Sequence, residues 1–286
     1  YFMNFINRAY YKILGKKNRF RWFVSFKKTK IEDQDFSSYL KIKNPKDRYL
    51  ADPFVIEHQG KNICFVEDYC FKKQKAHISA IHLTSDNYNF LGKVIEEDFH
   101  LSYPFVIKHN ENIYMVPETN QSNQIRLYKS VDFPTRWKLE KILIENISAS
   151  DTNIFCVSNT WFMLTNVCSS KMNDHNSELH IFYSKNLLSN SWQEIKSKNP
   201  VIFDSNIARN GGYFTKNDTI FRINQIHSKK YYGNKFAINK IIKLNTDEFK
   251  EEPIKIISPD IKSGHVGSHH FNSNGIFNVI DNAYID

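Results

Sequence analysis

The amino-acid sequence predicts an all-β protein, a five-bladed β-propeller with a short N-terminal helix. Two observations indicate this fold class. A strand–turn–strand unit recurs five times along the 286 residues, with first strands that begin near residues 52, 103, 151, 209 and 269. Phe and Tyr, which favour strands over helices, are abundant, with 23 and 15 copies. Antiparallel strands that repeat at a regular period are typical of propeller blades.

The first 18 residues are predicted to form a basic helix outside the propeller. Apolar residues at helical spacing between Asn4 and Leu14 give this segment a partial apolar face. Such a helix can lie on an anionic membrane surface, and packing on the propeller or on another domain is the alternative. The chain begins with Tyr1 rather than Met, so we also expect room for an additional domain upstream.

Much of the net charge of +9 lies in the first thirty residues, and the rest of the chain is closer to neutral. We therefore expect no nucleic-acid-binding groove on the rest of the chain. No stretch has the unbroken apolar region of a secretory signal or the ~20 apolar residues of a membrane span. The four cysteines show no metal-ligand spacing. These features favour a cytoplasmic location, at the inner face of the membrane if the basic helix contacts lipid.

The propeller itself is predicted to span residues 19–286. Its first two units nearly repeat each other, since Asp52-Pro-Phe in the first corresponds to Tyr103-Pro-Phe in the second. Two further strands follow each of the first four units and complete blades of four strands. The fifth unit has only two strands before the chain ends. Residues 19–26, which alternate like a strand, are therefore expected to close the ring and cover its open edge.

Polar residues recur at the two positions of each unit that face the central axis. The first strand of each blade lines the channel, so its start and the end of the second strand each form a ring. Polar groups in such positions are costly unless they are satisfied, which indicates a ligand site. The first ring holds Asp52, Tyr103, Asp151, Arg209 and His269 or His270. The second ring holds Glu67, Glu118, Asn166, Asn224 with Gln225, and Asp281.

The carboxylates of these rings predict chemistry on a glycosidic bond. Such chemistry needs one acid with a raised pKa to protonate the leaving oxygen and a second carboxylate as base or nucleophile. The alternative is a ring of internal salt bridges that holds the blades together. We predict catalytic roles for Asp52, Asp151, Glu67 and Glu118. We predict substrate-binding roles for Tyr103, Arg209, Gln225, His269 and His270.

No metal or other cofactor is predicted. Three histidines lie between His265 and His270, but no Cys or Asp stands nearby at ligand spacing. A histidine on the axis is expected to order water or to hydrogen-bond a substrate hydroxyl. An ion beside His269 and His270 is the alternative.

From about residue 19 onward the chain carries an ordered series of short motifs. They are Trp22, Ala51-Asp-Pro-Phe, Tyr103-Pro-Phe, Tyr114-Met-Val-Pro-Glu-Thr, Asp151-Thr, Ala208-Arg, Gln225, Tyr232-Gly and Gly267-Ser-His-His. In this order they resemble the propeller domain at the N-terminus of plant glucosamine inositolphosphorylceramide transferase and its homologues in bacterial surface-glycan clusters. More distantly, the first, third and fifth blades are similar to the superfamily of glycoside hydrolase families 32, 43, 62, 68 and 130.

This resemblance implies a carbohydrate-active protein. The hydrolases use an Asp at the start of the first blade as base or nucleophile, which implies that role for Asp52. Asp151 would then tune a pKa or orient the substrate, and Tyr232 joins the implied substrate-binding residues. The hydrolases carry their acid, a Glu, in a later blade, where this chain has Arg209 and Gln225. This departure favours glycosyl transfer over hydrolysis.

Three functions are compatible with these observations. The first is a glycosyltransferase of surface polysaccharide or glycolipid biosynthesis, with Arg209 placed to hold a phosphate-bearing nucleotide-sugar donor. The second is a glycoside hydrolase of the family 43-like propeller type that uses Asp52 with Glu118 or Glu67. The third is a non-catalytic glycan-binding module. All three have a carbohydrate as partner.

Overall fold

The structure, a computed structural model, describes residues 20–33, 35–169, 174–228 and 231–285. The predicted N-terminal helix, residues 1–18, lies outside this range. Within the described chain no helix has the length and apolar composition that crossing a membrane requires. The helical segments there are single 3₁₀ turns at Phe36–Ser38, Asn120–Ser122 and Ile261–Ser263.

The described chain is otherwise built of strands. In chain order they are β1 Phe20–Lys28, β2 Leu40–Lys41, β3 Arg48–His58, β4 Lys61–Cys70, β5 Lys75–Leu83, β6 Tyr88–Ile95, β7 Ser102–His109, β8 Asn112–Glu118, β9 Gln124–Asp132, β10 Arg136–Glu145, β11 Ala149–Val157, β12 Thr160–Val167, β13 Glu178–Ser184, β14 Gln193–Glu194, β15 Ile202–Phe203, β16 Asn210–Lys216, β17 Thr219–Ile226, β18 Lys235–Leu244, β19 Phe249–Ile257, β20 Phe271–Ser273 and β21 Phe277–Ile285.

These strands form five sheets, which confirms the predicted five-bladed propeller. Blades one to four follow the chain in simple order, as β3-β4-β5-β6, β7-β8-β9-β10, β11-β12-β13-β14 and β16-β17-β18-β19. In blade three, the short strand β15 also pairs with β13, an addition that the repeat did not predict. Neighbouring strands in the sequence are neighbours in each sheet because short hairpin turns join them.

Blade five is assembled from both ends of the described chain. β20 and β21 supply its inner strands, and β2 lies outermost. Between them, β1 pairs antiparallel with β21, from Phe20 opposite Ile285 to Lys28 opposite Phe277. This pairing covers the edge of β21, which would otherwise present unpaired main-chain groups to solvent. Main-chain hydrogen bonds therefore close the ring.

Aromatic side chains from four blades meet near the axis. The Tyr213 ring lies 5.1 Å from Phe155, 5.4 Å from Phe105 and 6.3 Å from Phe54, measured between ring centroids. Each ring comes from the first strand of a different blade. Large aromatic groups bury much apolar surface, so their packing fills the channel at this level.

The first strands of blades one to three carry a β-bulge at the same place. The ladder skips two residues near the start of β3, β7 and β11. Asp52, Tyr103 and Asp151 lie in these bulges with φ angles of 50°, 45° and 48°. Such angles are uncommon for residues other than glycine, and bulges next to active sites re-aim side chains. The bulges explain how Asp52 and Asp151 turn toward the axis from otherwise regular strands.

Blade four has glycines at this bulge. The ladder of β16 skips Gly211 and Gly212, so Gly211 rather than Arg209 is the counterpart of Asp52. Arg209 precedes β16 and stands two positions earlier than the predicted ring requires. A Cβ atom on Gly212 would lie only 2.2 Å from the main-chain oxygen of Phe271 in blade five. The glycines therefore allow the main chains of blades four and five to approach each other closely.

Gly212→Ala is expected to lower the free energy of unfolding by about 1–3 kcal/mol or more, since it adds a clash to an unfavourable φ of 105°. The matched control is Gly92→Ala, where φ is 98° and no atom lies within 4 Å of the added carbon. Guanidinium unfolding of both variants measures the difference. Equal losses would show that the contact with blade five imposes no constraint.

Candidate active site

A polar cavity of about 260 Å³ lies on the axis, where the bulged strands begin. The predicted residues that line it are Asp52, Glu67, Glu118, Asp151, Arg209, Gln225, Tyr232 and His269. The other lining residues in the described chain are Trp22, Tyr49, Ala51, His100 and Ser102. All five blades contribute, so the site exists only in the closed ring.

Asp52 is held in an ion pair with His269. Nε2 of His269 lies 3.2 Å from Oδ1 of Asp52, and Oδ2 accepts a hydrogen bond from the Tyr103 amide at 3.2 Å. Burial alone would raise the pKa of Asp52, but these contacts outweigh it and lower the pKa to about 2. Asp52 is therefore a carboxylate at neutral pH, although it is buried.

A second buried carboxylate, Asp281, contacts the other nitrogen of the same histidine. Nδ1 of His269 lies 2.9 Å from Oδ2 of Asp281. Asp281 also accepts hydrogen bonds from the main-chain N–H groups of His269 and His270, each at 3.0 Å, and of Asp52 at 3.2 Å. Burial would lower the pKa of His269, but the two carboxylates outweigh it and raise the pKa to about 10. His269 is thus an imidazolium that links Asp281 to Asp52.

Aromatic rings pack on this imidazolium. The Trp22 ring lies 4.0 Å from the His269 ring and the Tyr232 ring 5.7 Å, both between centroids. An aromatic face attracts a cation. A Cβ atom on Gly233 would lie 2.7 Å from Cβ of His269 and 2.9 Å from Trp22. Glycine at this position lets the main chain come close enough to hold both rings.

Glu67 stands on β4 beside the bulge, and its pKa is shifted in the opposite direction to that of Asp52. Burial raises its pKa well above the usual range, and the negative charges of Asp52 and Glu118 raise it further. Nδ1 of His100 accepts the Ala76 amide at 3.2 Å, so its proton is on Nε2, which lies 3.4 Å from Oε1 of Glu67. These surroundings favour the protonated form of Glu67, with Oε2 available to carry its proton.

The Arg209 guanidinium joins the two remaining carboxylates. Its Nε donates to Oδ2 of Asp151, and Nη2 lies 3.5 Å from Oε2 of Glu118. Gln225 donates to the same Asp151 oxygen at 3.0 Å. Burial raises the pKa of Asp151, although the Arg209 charge acts to lower it. Burial would lower the pKa of Arg209, but the neighbouring acidic groups, Asp151 first, outweigh it and raise that pKa. The guanidinium of Arg209 is therefore already paired with two acidic side chains of the protein.

Tyr103 and His270 are placed differently from the other predicted residues. Both are buried, and neither is among the described residues that line the cavity. The Tyr103 hydroxyl donates to Asn153 at 3.0 Å and accepts the Gly212 amide at 2.8 Å. Burial lowers the pKa of His270 to about 4, so its ring is neutral. Their side chains pack around the axis, and Tyr103 reaches Asp52 through its main chain.

Asp52, His269 and Asp281 bring potential metal ligands within 4.8 Å of one another. Both ring nitrogens of His269 already face carboxylate oxygens, and an imidazolium has no lone pair for a metal. Asp281 is further occupied by three main-chain N–H groups. This donor set fits an internal ion-pair chain better than a metal. The absence of a cofactor stays a prediction.

Comparison with known proteins identifies the family of this chain. The family model described as "Glucosamine inositolphosphorylceramide transferase 1, N-terminal" matches residues 38–276. The chain belongs to this family.

Plant members of the glucosamine inositolphosphorylceramide transferase 1 family are similar in sequence. The protein of that name from Oryza sativa subsp. japonica is 32% identical over 248 residues, which cover 82% of this chain and 33% of the rice protein. The protein of the same name from Arabidopsis thaliana is 30% identical over 233 residues, 78% of this chain and 30% of its own. This family member thus spans about a third of the length of the curated relatives.

Solved structures share the propeller of this family member. A thermostable family-43 glycoside hydrolase superposes with a TM-score of 0.60 at 15% identity, over 85% of this chain and 90% of the hydrolase. The catalytic domain of the Coprinopsis cinerea family-62 α-L-arabinofuranosidase superposes with a TM-score of 0.58 at 12% identity, over 92% and 97% of the two chains. At such identities the likeness shows the fold alone.

Sequence reasoning missed three residues that line the site of this family member. Tyr49 and His100 stand at the same offset, three residues before Asp52 and Tyr103, and Ser102 directly precedes the second bulge. The aligned repeat therefore held a signal for the first two. Both positions lie just outside the predicted repeat units, which begin at the bulged residue.

Proposed function

We propose that this chain is a glycosyltransferase domain of glycolipid or surface polysaccharide biosynthesis, with the axial cavity as its active site. One observation carries the proposal: Asp52, whose pKa is lowered to about 2, and Glu67, whose pKa is raised, line the same cavity. Environments that push two pKa values apart identify a base and an acid. The plant relatives are named as transferases and the structural neighbours as glycoside hydrolases, which supports a carbohydrate substrate.

In the proposed reaction, the bond from the donor sugar C1 to its leaving oxygen breaks, and a bond from C1 to an acceptor hydroxyl oxygen forms. Glu67 gives its proton to the leaving oxygen. In a one-step reaction Asp52 takes the proton of the acceptor hydroxyl. In a two-step reaction Asp52 first attacks C1, and the acceptor oxygen then displaces Asp52 while ionised Glu67 takes the acceptor proton. Asp151, fixed by Arg209 and Gln225, orients a sugar hydroxyl. The chain from Asp281 through His269 keeps Asp52 ionised.

Hydrolysis by the same residues is the second candidate, because an acid with a raised pKa can protonate the leaving oxygen in either reaction. The resemblance to hydrolases implies an acid in a later blade, where this chain has Arg209 and Gln225. Glu67 in blade one supplies an acid from another position, whereas Glu118 pairs with Arg209. Water would then take the place of the acceptor hydroxyl.

For transfer we propose a nucleotide-sugar donor whose phosphates contact Arg209. Arg209 already pairs with Asp151 and Glu118, so a phosphate oxygen would replace the longer contact, the 3.5 Å one to Glu118. We further propose action in the cytoplasm at the inner face of the membrane, with the basic N-terminal segment on the lipid. Because the chain spans about a third of its curated relatives, an additional domain is part of the same proposal.

Glu67→Gln tests the proposed acid. We expect turnover to fall about 10²–10⁴-fold on donors with poor leaving groups, and far less on dinitrophenyl glycosides, whose leaving oxygen needs no proton. Because the pKa of Glu67 is raised, wild-type activity should decline as pH rises through that pKa, and the variant should lack this decline. Product formation from alkyl glycosides, whose leaving group is poor, and from nucleotide sugars and dinitrophenyl glycosides, whose leaving groups are good, measures both effects with and without a glycan acceptor.

The matched control is Glu145→Gln, which changes an exposed Glu on the outer strand β10. It should leave turnover unchanged. Burial destabilises the ionised form of Glu67, so Glu67→Gln should unfold no more easily than wild type at neutral pH, which separates lost chemistry from lost fold. Glycan binding without turnover of any donor would refute both enzyme proposals and leave a glycan-binding module.

A further inference from the structure

A second cavity lies between blades four and five, with a volume of about 580 Å³. One wall is the face of the blade-five sheet that carries Phe23, Ser25 and Asn282. The other wall is formed by residues 257–265, which lead from β19 toward β20, and residues 35–39 border it. Small-molecule sites usually measure about 300–1,000 Å³. The axial cavity, at about 260 Å³, lies just below this range, whereas the inter-blade cavity falls within it.

Two buried polar side chains line this inter-blade cavity without a protein partner. In the ladder of β1 and β21, Phe23 stands opposite Asn282 and Ser25 opposite Ile280, so Ser25 and Asn282 are diagonal neighbours on one face. They are only 5% and 6% exposed. In the described chain neither side chain makes a hydrogen bond. Neither residue is among those whose unpartnered polar atoms are closed off from solvent, so the amide and the hydroxyl reach the cavity and are open to hydrogen bonds from a ligand.

The charges around the inter-blade cavity balance. Lys41 and Lys262 are matched by Asp35 and Asp260. The Asp260 carboxylate already accepts main-chain N–H groups of the following 3₁₀ turn. Burial lowers the pKa of His265, which keeps that ring neutral at pH 7. A neutral molecule rich in hydroxyl groups fits such a site better than an ion, because Asn and Ser each offer both a donor and an acceptor.

The inter-blade cavity adjoins the axial site through blade five. Ser268 and Asn282 line it, and the adjacent residues His269 and Asp281 belong to the axial ion-pair chain. In β1, Trp22 lines the axial cavity and the next residue lines the inter-blade cavity. Successive residues of a strand point to opposite faces, so the two cavities lie on opposite faces of one sheet at the same end of the blade.

We infer that the inter-blade cavity is a second carbohydrate-binding site that takes a neutral sugar unit through Asn282 and Ser25. Aromatic side chains Phe36 and Tyr39 supply apolar walls for the C–H faces of the sugar. The ligand class rests on the proposed function, whereas the cavity and its unpartnered groups do not. A glycan held here would be anchored beside the active site.

The test uses the whole chain and the methyl glycosides of glucose, galactose, mannose and N-acetylglucosamine as probes. We expect at least one to occupy the inter-blade cavity in soaked crystals with a hydrogen bond to Asn282. Asn282→Leu should weaken its binding about tenfold in calorimetric titration. Ser25→Ala, a smaller change, should weaken it about threefold or more and serves if the Leu variant misfolds. Glu145→Gln, the exposed control on β10, should leave this binding unchanged.

Only water in the inter-blade cavity with all four probes, or affinity unchanged in the folded variants, would overturn the inference. Sugar bound in the inter-blade cavity without turnover in the donor assays would refute the proposed enzyme alone. Turnover with an inter-blade cavity that binds no sugar would refute the second site alone.

Discussion

Asp52→Asn is expected to lower turnover about 10²–10⁴-fold. The substitution keeps the size of the side chain, but an amide neither accepts the proton of an acceptor hydroxyl nor attacks a sugar. Because the pKa of Asp52 is lowered to about 2, the wild-type residue is ionised at any pH at which the assay is practicable. The loss should therefore be nearly independent of pH, which initial rates between about pH 5 and pH 9 would show.

Asp132→Asn is the matched control, because Asp132 is exposed at the end of β9, outside the cavity. It should retain full turnover. Sugar binding by Asp52→Asn, measured in parallel, separates loss of catalysis from loss of affinity. Full turnover by a folded Asp52→Asn protein would remove this residue from the mechanism and with it the pairing of Asp52 with Glu67.

Asp281→Asn is expected to have the largest effect on stability, about 3–5 kcal/mol near neutral pH, because it breaks a buried ion pair. The amide nitrogen of the new side chain cannot accept the hydrogen bonds that main-chain N–H groups and the His269 ring now donate to the Asp281 carboxylate. His269 would keep only Asp52 as its negative partner. Guanidinium unfolding of the variant measures the loss, and His269→Gln with the double variant gives the coupling energy of the pair.

The pH dependence of this loss follows from His269. Its pKa is raised from 6.5 to about 10 on folding, so its contribution to stability is complete below about pH 6.5 and is lost as pH rises toward 10. The difference between wild type and Asp281→Asn should therefore shrink over that interval. A constant difference, or additive losses in the double variant, would mean that Asp281 stabilises the fold only through its main-chain hydrogen bonds.

The architecture could be predicted from the sequence because each of the five repeat units has the residue pattern of two strands joined by a turn. The blade starts at residues 52, 103 and 151 coincide with the bulged residues of the structure. The fourth start, Arg209, misses the bulge by two positions. A charged residue at the bulge would continue the pattern of the first blade, but the close approach of two main chains requires glycines there.

The chemistry of the site was harder to predict because it depends on what surrounds each carboxyl group. The resemblance to the hydrolases implies a base or nucleophile at Asp52, but the sequence does not decide between Glu67 and Glu118 as its partner. Only the fold shows that His269 faces Asp52, while burial and neighbouring negative charge act on Glu67. The role of Tyr103 could not be predicted either. It occupies the same bulge position in its blade as Asp52 and Asp151 in theirs, but its ring packs in the core.

The pairing of β1 with β21 is also expected to form late in folding. The two strands lie at opposite ends of the described chain, so this contact closes the longest loop in the molecule. Contacts of large sequence separation carry a high entropic cost and form slowly. Trp22, His269 and Asp281 all belong to this last blade. A chain whose two ends have not yet paired therefore lacks a complete site, so competence for binding reports closure of the ring.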